Sequence, residues 1–144
     1  MKNGSLLLVT MALAACATPA AIRWTPADDY ALAIADNSGM QRFEVTLTSS
    51  ASTAICLSKE AWPSAGALPA GFDGAKLALS SGTVDLLPTG SAYCPGGCGE
   101  VRIEPGRQVL GQIPYSAFGD AASIAAEGTR SLIFQVHPYQ CADN

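Results

Sequence analysis

The chain has 144 residues, 49% of them hydrophobic and 14% charged, with a formal net charge of −4. That length has room for one domain, and that composition supports a substantial core and excludes global disorder. The acidic balance excludes an electrostatic footprint for nucleic acid and offers no basic patch to anionic lipid headgroups. The 14 glycines and 9 prolines predict many turns.

Residues 1–15 read as a signal peptide: Lys2 is the positive start, Leu6 to Leu13 a short apolar stretch, and small residues follow. Eight apolar positions are too few to cross about 30 Å of hydrocarbon as a permanent helix. Without this leader, which carries Lys2 and no acid, the net charge becomes −5. The leader ends in Leu13-Ala14-Ala15-Cys16, and this stretch resembles the lipobox of bacterial lipoproteins. The resemblance implies that the Cys16 sulfur receives a diacylglyceryl group and that cleavage makes Cys16 the new N-terminus. Its amine is then usually acylated too, giving a mature chain of 16–144. Two or more acyl chains meet the requirement for stable anchoring. Ala17, rather than Asp, resembles the outer-membrane class of enterobacterial lipoproteins, which implies a cell-envelope protein anchored in the outer membrane and facing the periplasm. The alternative is an ordinary signal peptide cut after Ala14, on the pattern Ala12-Leu13-Ala14, which strands Cys16 as a thiol near a free terminus.

Residues 16–27 (CATPAAIRWTPA) read as a tether with two prolines, in which Ile22 and Trp24 are near enough to the domain to pack on it. The domain proper is expected over 28–144, where the dominant signal has period two. Tyr30, Leu32 and Ile34 form one inward stripe. After the turn Asn37-Ser38-Gly39, Phe43, Val45 and Leu47 form a second, with Arg42, Glu44, Thr46 and Thr48 facing water. Weaker strands follow at Thr53–Leu57, Lys76–Leu79, Thr83–Leu87 and Val109–Ile113, while Val101 and Ile103 flank Arg102. Leu132, Phe134 and Val136 make a late stripe. Ser80-Ser81-Gly82 is short enough for a hairpin, and Glu104-Pro105-Gly106-Arg107 has Pro and Gly at the centre of a type II turn. Residues 58–75 break the pattern as a long loop, and 116–127 allow a helical turn or two with Asp120 as N-cap. The fold expected is all-β: an immunoglobulin-like antiparallel β-sandwich of seven to eight strands, stapled by disulfides.

Of the five cysteines, Cys56, Cys94, Cys98 and Cys141 make an even set in an exported chain, so disulfides are the default. Three pairings are open. The flexible Cys94-Pro95-Gly96-Gly97-Cys98 loop favours closing on itself, which leaves Cys56 with Cys141; a crossed pairing remains an alternative. The C-x-x-x-C spacing, with no βαβ pattern around it, argues against a thioredoxin-like redox site. Cys94, Cys98, Cys141 and His137 form a soft set for zinc or copper(I), against which envelope oxidation competes.

Little else carries chemistry. His137, the only histidine, falls opposite the Leu132/Phe134/Val136 face and reads as a surface residue of a late strand. There is no G-x-S-x-G, P-loop or dinucleotide fingerprint. Asp28-Asp29 reads as a turn cap, and Glu100 and Glu104 as solvated charges. No catalytic residue, cofactor or resident metal is assigned. Trp62 and Phe72 in the 58–75 loop are the candidate partner-binding residues, because loop aromatics over a rigid sandwich commonly present a binding surface; the competing reading has them folding back to cover the open end of the sandwich. Ile55 to Pro63 (ICLSKEAWP), Gly99 to Gly106 (GEVRIEPG) and the C-terminal cysteine are similar to small lipoproteins with Ig-like sandwiches, a resemblance that brings no activity with it. The function expected is that of a non-catalytic, lipid-anchored envelope protein that binds another envelope component. The alternatives are an inhibitor of an envelope or host hydrolase (a protease or lysozyme), inserting the Trp62-Pro63 loop, and a metal carrier.

Overall fold

The computed structural model describes residues 21–64, 68–91, 94–95 and 97–142. Cys16, the leader and the start of the tether lie outside the described residues. The described residues form nine strands: β1 (Tyr30–Asn37), β2 (Arg42–Ser49), β3 (Ile55–Ser58), β4 (Ala75–Leu79), β5 (Gly82–Asp85), β6 (Glu100–Ile103), β7 (Gln108–Pro114), β8 (Arg130–Phe134) and β9 (Tyr139–Gln140). One helix, α1 (Ala121–Ala126), precedes β8. All pairings are antiparallel. The all-β, disulfide-stapled sandwich class therefore holds, with nine strands hydrogen-bonded as three three-stranded sheets in the orders β1-β2-β7, β6-β3-β9 and β5-β4-β8.

The strand alternation explains the core. In β2 the inward residues Phe43, Val45 and Leu47 are all buried, because β2 is the central strand of its sheet. Beside it, β1 is an edge strand: Tyr30 and Leu32 are half-buried, and Ile34, expected inside, is exposed. From the other sheets come Ile55, Leu57, Leu77, Ile103, Leu132 and Phe134, closing one hydrophobic cluster with Val136.

Local chemistry sets the turns. Gly106 takes φ 70° and the Arg107 N–H donates to the Glu104 carbonyl at 3.0 Å, the type II turn expected there. Leu79 pairs with Gly82 across the two-residue Ser80-Ser81 hairpin loop. The Asp120 carboxylate accepts from the Ser123 hydroxyl at 2.7 Å and from the Ser123 N–H at 2.8 Å, capping α1, and these two bonds hold its carboxyl below the usual range. The end of α1 is tied down by Arg130, which donates to the carbonyls of Ala125 and Glu127, forms an ion pair with Asp36 at 2.8 Å and donates to the buried Tyr115 hydroxyl at 2.8 Å. The same hydroxyl donates to Asp36, so β1, the turn after β7, α1 and β8 meet in one polar cluster.

Cys56 pairs with Cys141 across a sequence separation of 85, and Cys94 with Cys98. The long link joins β3 to the residue after β9. It lies beside a pairing that involves the end of the tether: Trp24 bridges Tyr139, the Thr25 N–H donates to the Pro138 carbonyl, and the Gln140 N–H donates to the Arg23 carbonyl. Residues 23–25 thus extend the β6-β3-β9 sheet, and the folded body begins before residue 28.

Candidate functional site

The structure places the two candidate contact residues inside the protein. Trp62 is 2% exposed and Phe72 3%, and both rings pack on Phe134 with centroids about 6 Å apart. The Trp62 indole N–H donates to the Leu110 carbonyl at 3.3 Å, and Pro63 lies over Gly111, where an added Cβ would run into the Pro63 carbonyl oxygen. This corrects the expectation of a loop-borne binding surface. Trp62 and Pro63 lie on β7 and Phe72 on Phe134 of β8, where they supply apolar rings to the core. The rings are lids, and Trp62 and Phe72 offer a partner almost no surface.

The set proposed for a metal also comes apart. Cys141 is bonded to Cys56, Cys94 is bonded to Cys98, and His137 is exposed on the 135–138 connection after β8, edge-on to Trp24 at 6.4 Å. The sulfurs of Cys94 and Cys98 lie instead near Glu60. Glu60 Oε1 is 2.6 Å from Cys98 Sγ. In the disulfide that sulfur carries no proton, so the contact is not a hydrogen bond, and neither sulfur is a thiolate ligand.

What the fold builds is a groove of about 800 Å³ at the seam between the β5-β4-β8 and β6-β3-β9 sheets. Its floor is the outward face of β4 and β8, where Lys76 and Ile133 are register partners. One wall is the N-terminal stretch Ile22 and Trp24, held by the bridge to Tyr139. Ile22 and Trp24 are each 62% exposed and Ile133 45%, so the groove shows water a mostly hydrocarbon surface. Trp24 is fixed between two rings, edge-on to His137 and to Tyr139, both with centroids at 6.4 Å.

Tyr139 donates to Glu100 Oε1 at 2.6 Å across the groove wall. Burial, and then this bond to a carboxylate, push its hydroxyl up to about 12. It therefore stays protonated at physiological pH and acts as a fixed donor rather than a base. Lys76 pairs with Asp85 at 2.7 Å, but both side chains are more than half exposed, so the pair contributes little. With Asp73 and Glu100 also on the rim, the groove carries no cationic cluster.

Such a surface can hold an apolar group by burial, with Tyr139, Gln135 and His137 at its polar edge. Sequence reasoning named Trp24 and Ile22 only as residues able to pack, and did not single out Tyr139 or Ile133. The available signal was an exposed aromatic in a segment otherwise composed as a tether. The fold and groove together define a class: an all-antiparallel, disulfide-stapled β-domain with an open apolar groove beside its N-terminal entry. No family model, curated protein or solved structure matches the chain.

Proposed function

We propose that this chain is a non-catalytic, lipid-anchored protein of the bacterial cell envelope, attached through Cys16 in the outer membrane, whose disulfide-stapled domain binds another envelope component through the groove. The observation that carries this reading is the open groove of about 800 Å³ walled by Ile22 and Trp24. Exposed apolar surface gathered in one concave place, rather than scattered, marks a contact site. Two disulfides agree with an oxidising compartment. The lipobox-like Leu13-Ala14-Ala15-Cys16 supplies the anchor, only a few residues before the groove wall. The hydrolase-inhibitor alternative loses its inserting element, since Trp62 and Pro63 are buried.

Capture from crosslinked envelopes tests the reading, with the wild-type protein and a Trp24→Asp, Ile133→Asp variant as baits. Both positions are exposed, and far-UV circular dichroism of the variant checks that the fold is kept. A component captured by the wild type and lost by the variant supports the groove as the contact. Identical captures from both baits contradict it.

A further inference from the structure

We infer that the groove's partner is the bilayer itself: Ile22, Trp24 and Ile133 form a seat in the interfacial zone of the membrane that holds the anchor. The inference deepens the proposed function and rests on its lipid anchor at Cys16.

Four observations lead there. The first is clustering. Among the described residues, the exposed large hydrophobics are Ile22, Trp24, Ile34, Met40, Leu87, Leu110 and Ile133, and three of these seven line this groove. Isolated exposed apolar residues are ordinary, whereas a contiguous set is a contact surface. The second is reach. Cys16 lies six residues before Ile22. At no more than about 3.6 Å per residue, the groove wall lies within ~20 Å of the acylated sulfur. The headgroup zone alone is ~5–8 Å deep on each side, so an anchored domain cannot carry this wall far from the surface.

The third is residue type. Trp and Tyr, with apolar bodies and polar tips, are the side chains that settle at the headgroup level, and Trp24 and Tyr139 stand together here. The fourth is charge. Asp73, Glu100 and the Asp85-paired Lys76 leave no basic cluster, so the seat is driven by apolar burial and gains nothing from anionic lipid. A patch of this size does not hold a free protein on a membrane. An anchor within ~20 Å makes the contact intramolecular, and a weak contact then suffices.

The chain has two tryptophans, one exposed at 24 and one buried at 62, which makes the seat readable by fluorescence. The protein isolated from membranes is reconstituted into phosphatidylcholine vesicles carrying bromine near the headgroup end of the acyl chains. The expected result is strong quenching that disappears in Trp24→Phe, is mostly lost in an Ile22→Asp, Ile133→Asp variant that still floats with the vesicles, and is unchanged from low to high salt. Wild-type protein that floats but is not quenched overturns the seat. So does quenching that persists in either variant, or a blue shift without quenching, which would put the protein's own acyl chains in the groove. So does capture of a protein at the groove with Trp24 unquenched.

Intact mass of the same preparation decides the anchor separately. If the acyl groups are missing, the anchor fails, and the quenching test is run on chain 16–144 coupled through Cys16 to a maleimide phospholipid in the same vesicles. Cys16 is the one cysteine outside the two disulfides, so coupling is specific. The same quenching outcomes then support or overturn the seat.

Discussion

Removing the two disulfides one at a time should have very unequal effects. The Cys56–Cys141 link closes a separation of 85 residues and the Cys94–Cys98 link a separation of 4. If a link acts by restricting the unfolded chain, the long one contributes ~4.5 kcal/mol and the short one ~2 kcal/mol. The folded state strengthens the contrast. Cys56 is 1% exposed in the middle of β3, and Cys141 follows β9, so the long link clamps the strand pair that also holds residues 23–25. The short link closes a Gly-rich loop whose opening disturbs no strand. The assay is urea unfolding, followed by far-UV circular dichroism, of Cys56→Ala/Cys141→Ala and Cys94→Ala/Cys98→Ala. With a slope of about 1.5 kcal/mol/M, the midpoint falls by ~3 M for the first pair and ~1.3 M for the second. The slope should also rise more for the first, because its unfolded chain expands further. Equal midpoints, or a larger loss for the 94/98 pair, would refute the reasoning and mean that local strain or packing, not chain restriction, governs these links.

Three further outcomes follow from the same structure. Trp62→Ala should cost ~3–5 kcal/mol by opening a cavity against Phe134, whereas Trp24→Ala, which loses only exposed edge-on ring contacts, should cost ~1 kcal/mol, both read by denaturant midpoint. Gly111→Ala should cost ~1–3 kcal/mol, because its methyl has no room under Pro63 and beside Val45; an unchanged midpoint would show that the 62–64 segment lifts freely from β7. Tyrosinate absorbance should show the Tyr139 hydroxyl titrating at about 12, a component lost in Tyr139→Phe and moved down in Glu100→Gln, while the Tyr115 hydroxyl, also raised by burial, is unchanged in both. The folded Tyr139 value lies above the ordinary value of about 10, so this group's stabilisation is complete below pH ~10 and is lost as pH rises from there through about 12.

The strands were legible because a half-buried strand writes its own pattern. Phe43, Val45 and Leu47 alternate with polar residues; Leu132, Phe134 and Val136 keep the same period although Ile133 stands between the first two, and all six are buried. Turn chemistry at Gly106 and the cap at Asp120 were readable for the same local reason. The pairing of Cys94 with Cys98 followed from loop flexibility and parity. What could not be read depends on long-range fit. Nothing local to Trp62 says that β7 carries a glycine at 111 over which Trp62-Pro63 can close. Ile34 keeps the inward phase of its stripe, yet it lies on an edge strand and is exposed. β9 has two residues, too few to show a period, and it is held between distant segments, β3 by its ladder and Trp24 by a bridge. The groove is built from that pairing and from the seam between two sheets, so its members, from Ile22 to Tyr139, share no sequence signal.

The most direct test of the central claim is a photoreactive side chain placed at position 24 in living cells, compared with the same group at Met40 and Leu110, which are exposed elsewhere on the domain. The groove account predicts envelope adducts at position 24, of lipid mass, and few at the other two positions. Absence of adducts at 24, or equal yields at all three positions, would contradict it.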